Sequence, residues 1–431
     1  MLDHSVKGKK LLVLGGTSAS VDLVKIAHKM GAYVIVTDEA DISERVAKQI
    51  ADETANISTT EYESLLELIK ERKIDGVFCG PSEFNLNNLI NLCSMGNLPC
   101  YANPSQWSIC SNKKLFKDYC LRNDVPTAQE YSIGFFVDEN DSEVEYPLIV
   151  KPVDGCSSKG ISICNSREEV IKAYSYALEN SSSKKAIIEQ YIDNGGKIFS
   201  FRYILDNGNY YPYLTFDTYI VDPVDKKYLI SAFTYFPSSH EKEFYDDLDS
   251  KVQNMFRDMG LKNGVAFVQS IPYKGKIYCH EMGYRLSGGM IYKITEPLIG
   301  INDMEMMIRY ALGEQIIHSD ELEKVMNRNS DMSMAQLMIP LNSGTITKVE
   351  GLEETKALKN VVDFLQYYKV GDTVLPEVLG TLGQHFGRYT LRGKNKEEIL
   401  ETVNKIQCLL SIKDNNDKEM FTYKFDTARV V

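Results

Sequence analysis

The first 80 residues alternate short apolar runs with amphipathic segments, and no other feature of the sequence constrains the fold as strongly. The apolar runs are KLLVLG at 10–15, YVIVTD at 33–38 and DGVFCG at 75–80, and the segment at 61–73, EYESLLELIKERK, has helical spacing. Strands that alternate with helices form parallel sheets, because a parallel pair needs a crossover connection. We therefore predict a doubly wound parallel α/β domain over residues 1–110.

The rest of the chain is predicted to form α+β units, since 431 residues are too many for one ordinary core. YPLIVKPV at 146–153, ISIC at 161–164 and KAIIEQYI at 185–192 read as strands, with a helix at 167–179. They predict a small subdomain at about 125–190, within a domain that spans 111–320. A C-terminal α+β domain is expected over 331–431, so the predicted fold class is α/β and α+β.

Charge and cysteine usage narrow the class of protein. Lys and Arg number 48 and Asp and Glu number 60, which gives a net charge of −12. This acidity argues against a general nucleic-acid or anionic-membrane binder, although it leaves room for a local basic pocket. The nine cysteines are scattered without a C-x-x-C pair, which suits reduced thiols. Because no run of about 18 apolar residues occurs, we expect a cytoplasmic protein.

Lys151 lies within an apolar strand, and a loop of small residues follows it. An unpaired ammonium is too costly to bury, so this side chain must face water or an anion. Gly155, Ser157 and Ser158 would let the loop backbone approach a phosphate closely. The alternative is a solvent-facing lysine on an edge strand, followed by a plain hairpin. The residues alone leave both interpretations open.

Gln269 and Glu281 lie on the two arms of a predicted hairpin. They face each other if the loop comprises the three residues 274–276, whereas a two-residue turn would put them on opposite faces. The first register would offer Mg²⁺ an amide oxygen and a carboxylate, and phosphates and water could complete its shell. The alternative is an ordinary polar pair between neighbouring strands.

Arg285 follows Glu281 by four residues, on the same alternating face. Its planar fork suits a carboxylate or a phosphoryl group. Ser287, Gly288 and Gly289 come next and leave room for a ligand against the backbone. A strand end with a salt bridge and a turn would explain the same residues.

Five motifs occur in an order and spacing that resemble those of the ATP-grasp superfamily. They are SNKKLFK at 111–117, YPLIVKPVDGCSSKG at 146–160, AIIEQYI at 186–192, GVAFVQSI at 264–271 and HEMGYRLSGG at 280–289. The chain is most similar to the carboxylate–amine ligase branch, which is related to biotin carboxylase and the carbamoyl phosphate synthetase large chain. The likeness spans about 10–315. It implies an ATP-grasp fold in which 111–320 is the ATP-grasp domain and 125–190 its lid.

The resemblance also implies a role for each candidate residue. Lys113 and Lys151 would hold the phosphates of ATP beneath a flap that contains Gly155, Ser157 and Ser158. Glu189, which taken alone is most simply a solvated acid, would face the adenine amino group, with backbone contacts from Gln190, Tyr191 and Ile192. Gln269 and Glu281 would bind Mg²⁺ or Mn²⁺, Arg285 would stabilise an acyl phosphate, and the substrate would contact Glu83, Arg285, Ser287, Gly288 and Gly289.

Three positions depart from the pattern of the superfamily. Gln269 stands where Glu is frequent, and Gly283 stands where Asn usually supplies a metal ligand. The acid expected to hold the ribose is not evident in DNGGKIFSFRY at 193–203. These departures imply weaker or altered binding of the nucleotide and the metal, or a substitute residue.

The activity implied is ATP-dependent ligation of a carboxylic acid to an amine, through an acyl phosphate and with release of ADP and phosphate. A bicarbonate- or formate-using enzyme and a non-catalytic nucleotide-binding regulatory protein are the alternatives. The expected partners are a small acid and an amine, amino acids among them, rather than nucleic acid or a membrane. A homodimer is common in similar proteins.

Overall fold

A parallel sheet with flanking helices forms the first part of the chain, of which the computed structural model describes residues 6–139, 142–154, 160–221, 230–327 and 332–430. Its elements are β1 (Lys10–Leu14), α1 (Val21–Lys29), β2 (Tyr33–Thr37), β3 (Glu53–Ala55), α2 (Tyr62–Arg72), β4 (Gly76–Phe78) and α3 (Glu83–Gly96). The strand order is β3-β2-β1-β4, and every pair is parallel, which confirms the predicted topology. The sequence analysis missed β3, a short strand that lacks an apolar run. Because β1 pairs with β2 on one side and β4 on the other, a crevice opens between the loops after β1 and β4.

Two helices and a small sheet follow. The elements are α4 (Pro104–Ser111), α5 (Lys113–Arg122), β5 (Glu130–Tyr131), α6 (Ile133–Val137), β6 (Leu148–Pro152), β7 (Ser162–Cys164), α7 (Arg167–Glu179) and β8 (Ala186–Gln190). The sheet order is β5-β8-β6-β7. Its apolar residues, with those of α6 and α7, form a core of their own around Phe136, Leu148 and Val170. This core gives the small sheet a stabilising centre separate from the rest of the chain.

A long antiparallel sheet forms the middle of the chain. Its elements and the helices beside it are β9 (Lys197–Asp206), β10 (Asn209–Ile220), β11 (Ser231–Phe236), α8 (Glu241–Glu243), α9 (Asp249–Asp258), β12 (Gly264–Tyr273), β13 (Lys276–Gly283), α10 (Tyr292–Ile299), α11 (Asp303–Ala311) and α12 (Ser319–Met326). The apolar faces of β9 and β12 pack with the first parallel sheet and its helices in one large core. The candidate residues on β12 and β13 are therefore held against the first part of the chain.

The last hundred residues continue this sheet rather than starting a detached one. Their elements are β14 (Ser333–Pro340), β15 (Gly344–Thr345), β16 (Lys348–Glu350), α13 (Leu352–Lys356), β17 (Val361–Gln366), β18 (Thr373–Val374), β19 (His385–Gly393), α14 (Lys396–Leu409) and β20 (Ser411–Lys413). The eight-stranded order is β13-β12-β9-β10-β11-β14-β19-β17. A further apolar core lies around Leu337, Tyr389 and Val403. The mixed fold class is confirmed, while the domain limits stay a prediction.

None of the helices in these described ranges combines the length and the hydropathy that a bilayer span requires.

Candidate active site

Gln269 and Glu281 lie directly opposite each other on β12 and β13, but not for the reason predicted. The hairpin loop has two residues, Lys274 and Gly275, both with positive φ, which is the register expected to put Gln269 and Glu281 on opposite faces. A β-bulge between Gln269 and Ser270 shifts the register by one residue and brings Gln269 opposite Glu281. The bulge therefore restores the pairing that the short turn alone would have removed.

A third oxygen-bearing side chain extends this pair across the sheet. Ser200 on β9 is the partner of Gln269, so Ser200, Gln269 and Glu281 form a row on three neighbouring strands. The Ser200 hydroxyl is buried and has no hydrogen-bond partner among the described residues. Hydroxyl, amide and carboxylate oxygens are hard ligands that suit Mg²⁺. The row fits one such ion, and phosphate oxygens would complete its shell, since the described residues hold no cluster of three His, Cys, Asp or Glu side chains.

One small cavity brings four of the predicted residues together, and they are Glu83, Lys113, Glu281 and Arg285. The other lining residues are Trp107, Cys110, Ser111, Phe116, Met282 and Gly283. Lys113 begins α5, and its ammonium lies 3.9 Å from the Glu281 carboxylate. The cavity thus combines two cations and two carboxylates from α3, α5 and the end of β13. Sequence reasoning missed Trp107 and Cys110 on α4, because neither residue lies in a motif.

A carboxylate from the N-terminal parallel-sheet region holds the Arg285 side chain in place. Its Nη2 donates to Glu83 Oε2 at 2.8 Å, and its Nη1 donates to the Leu286 carbonyl at 3.0 Å. Glu83 is the first residue of α3, which Ser82 caps by accepting from the Asn85 backbone N–H. This cap fixes the start of α3. It sets the position from which Glu83 reaches Arg285.

Gly283 cannot carry a metal-binding side chain in this fold. A Cβ built at Gly283 would lie 2.3 Å from Cζ of Phe267, its partner across the hairpin. The Phe267 ring has the guanidinium of Arg285 at 5.5 Å and that of Arg202 at 5.1 Å from its centre. Such contacts are attractive, because the ring face is electronegative. The aromatic ring and two cations thus occupy the region in which the usual asparagine would stand.

Arg202 was missed by the sequence analysis, and it contacts the predicted substrate segment. The side chain is buried, and its Nη2 donates to the Ser287 hydroxyl at 2.6 Å. The carbonyl of Gly289 accepts from Gln336 Nε2 at 2.9 Å, whereas a Cβ at Gly288 would meet no atom within 4 Å. The backbone at Gly288 is therefore open, as the small residues predicted.

Lys151 and Glu189 form a buried ion pair, which makes the solvated-acid interpretation of Glu189 wrong. Lys151 Nζ lies 2.5 Å from Glu189 Oε2, and each side chain is 6% exposed. The second oxygen of Glu189 accepts from Lys117, a residue that sequence reasoning missed. Burial alone would raise the pKa of Glu189, but the charges of Lys151 and Lys117 outweigh burial and lower the pKa to about 2. The carboxylate is thus ionised at every physiological pH.

The two residues after Glu189 already use their backbone N–H groups in hydrogen bonds within the small sheet. The backbone N–H of Gln190 donates to the Gln129 carbonyl at 2.8 Å, and that of Tyr191 donates to the Pro147 carbonyl at 3.1 Å. Contacts from Gln190 and Tyr191 to an adenine edge would have to come from their carbonyls. Contacts from Ile192 stay a prediction. The flap residues Gly155, Ser157 and Ser158 lie outside the described residues.

The sequence analysis also missed His280, a residue of the site. It lies on β13 next to Glu281, and its Nδ1 is buried without a hydrogen-bond partner in the described part of the chain. Burial first, and then the charge of Lys151, lowers the pKa of His280 to about 3. The ring is therefore neutral near pH 7. It lies close enough to Lys151, Glu189 and Lys113 to feel their charges, and it adds no charge of its own.

The chain is similar to known proteins in sequence and in fold. A family model described as the D-ala D-ala ligase C-terminus matches residues 126–283. A formate-dependent phosphoribosylglycinamide formyltransferase of Sulfurisphaera tokodaii is 25% identical over 321 residues, which cover 71% of this chain and 76% of that protein.

Two solved structures share the overall architecture. An L-amino acid ligase from Bacillus licheniformis aligns with a TM-score of 0.77 and 20% identity, over 96% of this chain and all of that one. The biotin carboxylase domain of Hydrogenobacter thermophilus 2-oxoglutarate carboxylase, in complex with MgADP and bicarbonate, aligns with a TM-score of 0.72 and 17% identity, over 96% and 91%. At these identities the structural likeness establishes a shared fold.

Proposed function

We propose that this chain, which has the fold of ATP-grasp proteins, is an ATP-dependent carboxylate–amine ligase. It would activate a small acid as an acyl phosphate, join it to an amine, and release ADP and phosphate. One observation carries the proposal. Lys113, Glu281 and Arg285, which come from separate elements, line one cavity. Lys151 and Glu189 do not line it, but the backbone N–H of Lys113 donates to the carbonyl of Val153, two residues after Lys151, at 2.8 Å.

The row of Ser200, Gln269 and Glu281 would hold the Mg²⁺, or Mn²⁺, that accompanies the nucleotide. Only Glu281 brings a negative charge to this row, and Gly283 brings no ligand. Mg²⁺ is commonly bound by one or two carboxylates together with substrate phosphates. We therefore assign the protein a single metal position, centred on Glu281.

Magnesium-bound ATP supplies the phosphoryl group that converts a carboxylate oxygen into a leaving group. The protein contributes alignment and positive charge, which are the main requirements of phosphoryl transfer. Lys113 faces the cavity from the N-terminus of α5, where the helix dipole adds to its charge. Arg285 faces the same space from the end of β13 and would stabilise the acyl phosphate bidentately.

Glu83 holds Arg285 until the substrate arrives. The acyl phosphate would compete with Glu83 for the guanidinium, because a dianion attracts it more strongly than one carboxylate does. A displaced Glu83 then faces the same cavity and can accept a hydrogen bond from the attacking amine. We propose that the acid contacts Arg285 and the open backbone at Ser287, Gly288 and Gly289.

A formate-using reaction is the second candidate, and one observation favours it. The similar protein of Sulfurisphaera tokodaii carries a name that specifies formate dependence, and the match covers most of both chains. A cytoplasmic location also belongs to the proposal, since the cysteines in the described ranges are unpaired thiols. A homodimer is the assembly we would test first.

A phosphate-release assay tests the proposal. The purified protein would receive ATP, Mg²⁺ and pairs drawn from a panel of acids, including formate and amino acids, and a panel of amines. We expect phosphate release that requires both an acid and an amine. Lys151→Ala and Glu281→Ala should abolish the signal. A folded protein that releases no phosphate with any pair would contradict the proposal.

A further inference from the structure

Lys117 is a buried cation that the proposed chemistry does not yet use. It lies on α5 one turn after Lys113, yet it does not line the cavity that Lys113 faces. Its side chain is only 4% exposed and contacts Glu189 in the small sheet. A buried ammonium carries a large desolvation cost, so its position depends on this carboxylate.

The contacts fix the Glu189 carboxylate at both oxygens. Lys117 contacts Oε1, and Lys151 lies 2.5 Å from Oε2. Glu189 and Lys151 belong to neighbouring strands, where Glu189 pairs with Ile149 and Lys151 pairs with Ile187. Because each oxygen already has one cation, the carboxylate cannot rotate without breaking a buried contact. Lys151 is thereby held in one place on β6.

The charges of this cluster do not cancel. Lys151 and Glu189 alone would form a neutral pair, which attracts a phosphate weakly. Lys117 adds a second cation, so two ammonium groups share one buried carboxylate and the cluster keeps one positive charge. Glu130 weakens this charge without cancelling it, because its carboxylate is 27% exposed to water and is shared between Lys117, at 3.8 Å, and Lys114, at 3.0 Å.

We infer that Lys117 is a positioning residue for nucleotide binding, which neutralises Glu189 so that Lys151 retains its charge for a phosphate. This inference rests on the proposed function, because it assigns the anion beside Lys151 to a nucleotide. Lys117 itself stays behind Glu189 and does not touch the ligand.

Removing the positive charge of Lys117 tests the inference. Lys117→Met keeps the length and apolar stem of the side chain but leaves Lys151 and Glu189 as a neutral pair. Lys114→Met is the matched control, since it removes a lysine from the same helix at a position that is 43% exposed. Affinity for MgADP would be measured by isothermal titration calorimetry, with thermal unfolding to verify that each variant is folded. Lys117→Gln replaces Lys117→Met if the methionine variant does not fold.

We expect Lys117→Met to weaken MgADP binding by about tenfold, while Lys114→Met stays within about twofold of the wild type. Lys117→Arg keeps a positive charge at this position and should recover most of the loss. An unchanged affinity in Lys117→Met, or a folded Lys117→Arg variant that binds no more tightly than Lys117→Met, would overturn the inference. A folded wild-type protein that binds no MgADP would overturn the proposed function and the inference together.

Discussion

Glu189 should make the free energy of unfolding depend on pH in the acidic range. The charges of Lys151 and Lys117 outweigh the effect of burial and lower its pKa from an ordinary 4.5 to about 2. A carboxyl group whose pKa is lower in the folded chain stabilises the fold above the unfolded pKa. That stabilisation is lost as the pH falls from 4.5 towards about 2. At about 1.4 kcal/mol per pH unit, the full contribution is about 3 kcal/mol.

Urea unfolding of the wild type and of Glu189→Gln at about pH 6.5 and about pH 3.5 measures this contribution. A group with these two pKa values loses about 1.4 kcal/mol of its stabilisation by the lower pH. The amide introduced by Glu189→Gln does not titrate, so the stability difference between the two proteins should shrink by about that amount. Lys117, Lys151, Glu130 and His280 are present in both proteins. A difference that is the same at both pH values would refute the ion-pair assignment.

Variants of Gly283 and Arg285 test the region around Glu281. Gly283→Asn should lower the free energy of unfolding by about 1–3 kcal/mol, because its Cβ would lie 2.3 Å from Phe267. Gly288→Asn, at an open position, is the control in the same thermal unfolding measurement, and equal effects would contradict the packing at Gly283. Arg285→Met should reduce phosphate release by about 10²–10³-fold and leave MgADP affinity within about twofold. Loss of MgADP binding in that variant would instead place Arg285 at the nucleotide.

The sequence predicted those features that depend on local order along the chain. Alternating apolar runs and amphipathic helices specified the parallel sheet, because each strand and its crossover helix are consecutive. The order of five motifs likewise indicated the superfamily. The short strand Glu53–Ala55 escaped notice, since its pairing with Tyr33–Thr37 supplies the strand conformation that its own residues do not favour.

The geometry of the site depended on contacts between distant residues, which one sequence does not reveal. The pairing of Gln269 with Glu281 requires a bulge, and no residue type marks its position. The contact between Lys117 and Glu189 joins residues 72 positions apart. Phe267 explains the glycine at 283 only once the hairpin register is known. The spacing of four residues between Lys113 and Lys117 is the signal that could have placed both lysines on one face of the helix.

Transfer of ¹⁸O tests the central claim most directly. The acid that supports phosphate release would be supplied with ¹⁸O in its carboxylate, and the released phosphate would be analysed by mass spectrometry. If the acid is activated as an acyl phosphate, each phosphate should carry one oxygen from the acid. Unlabelled phosphate, released at the same rate as the product, would show that the carboxylate is never phosphorylated and would contradict the account.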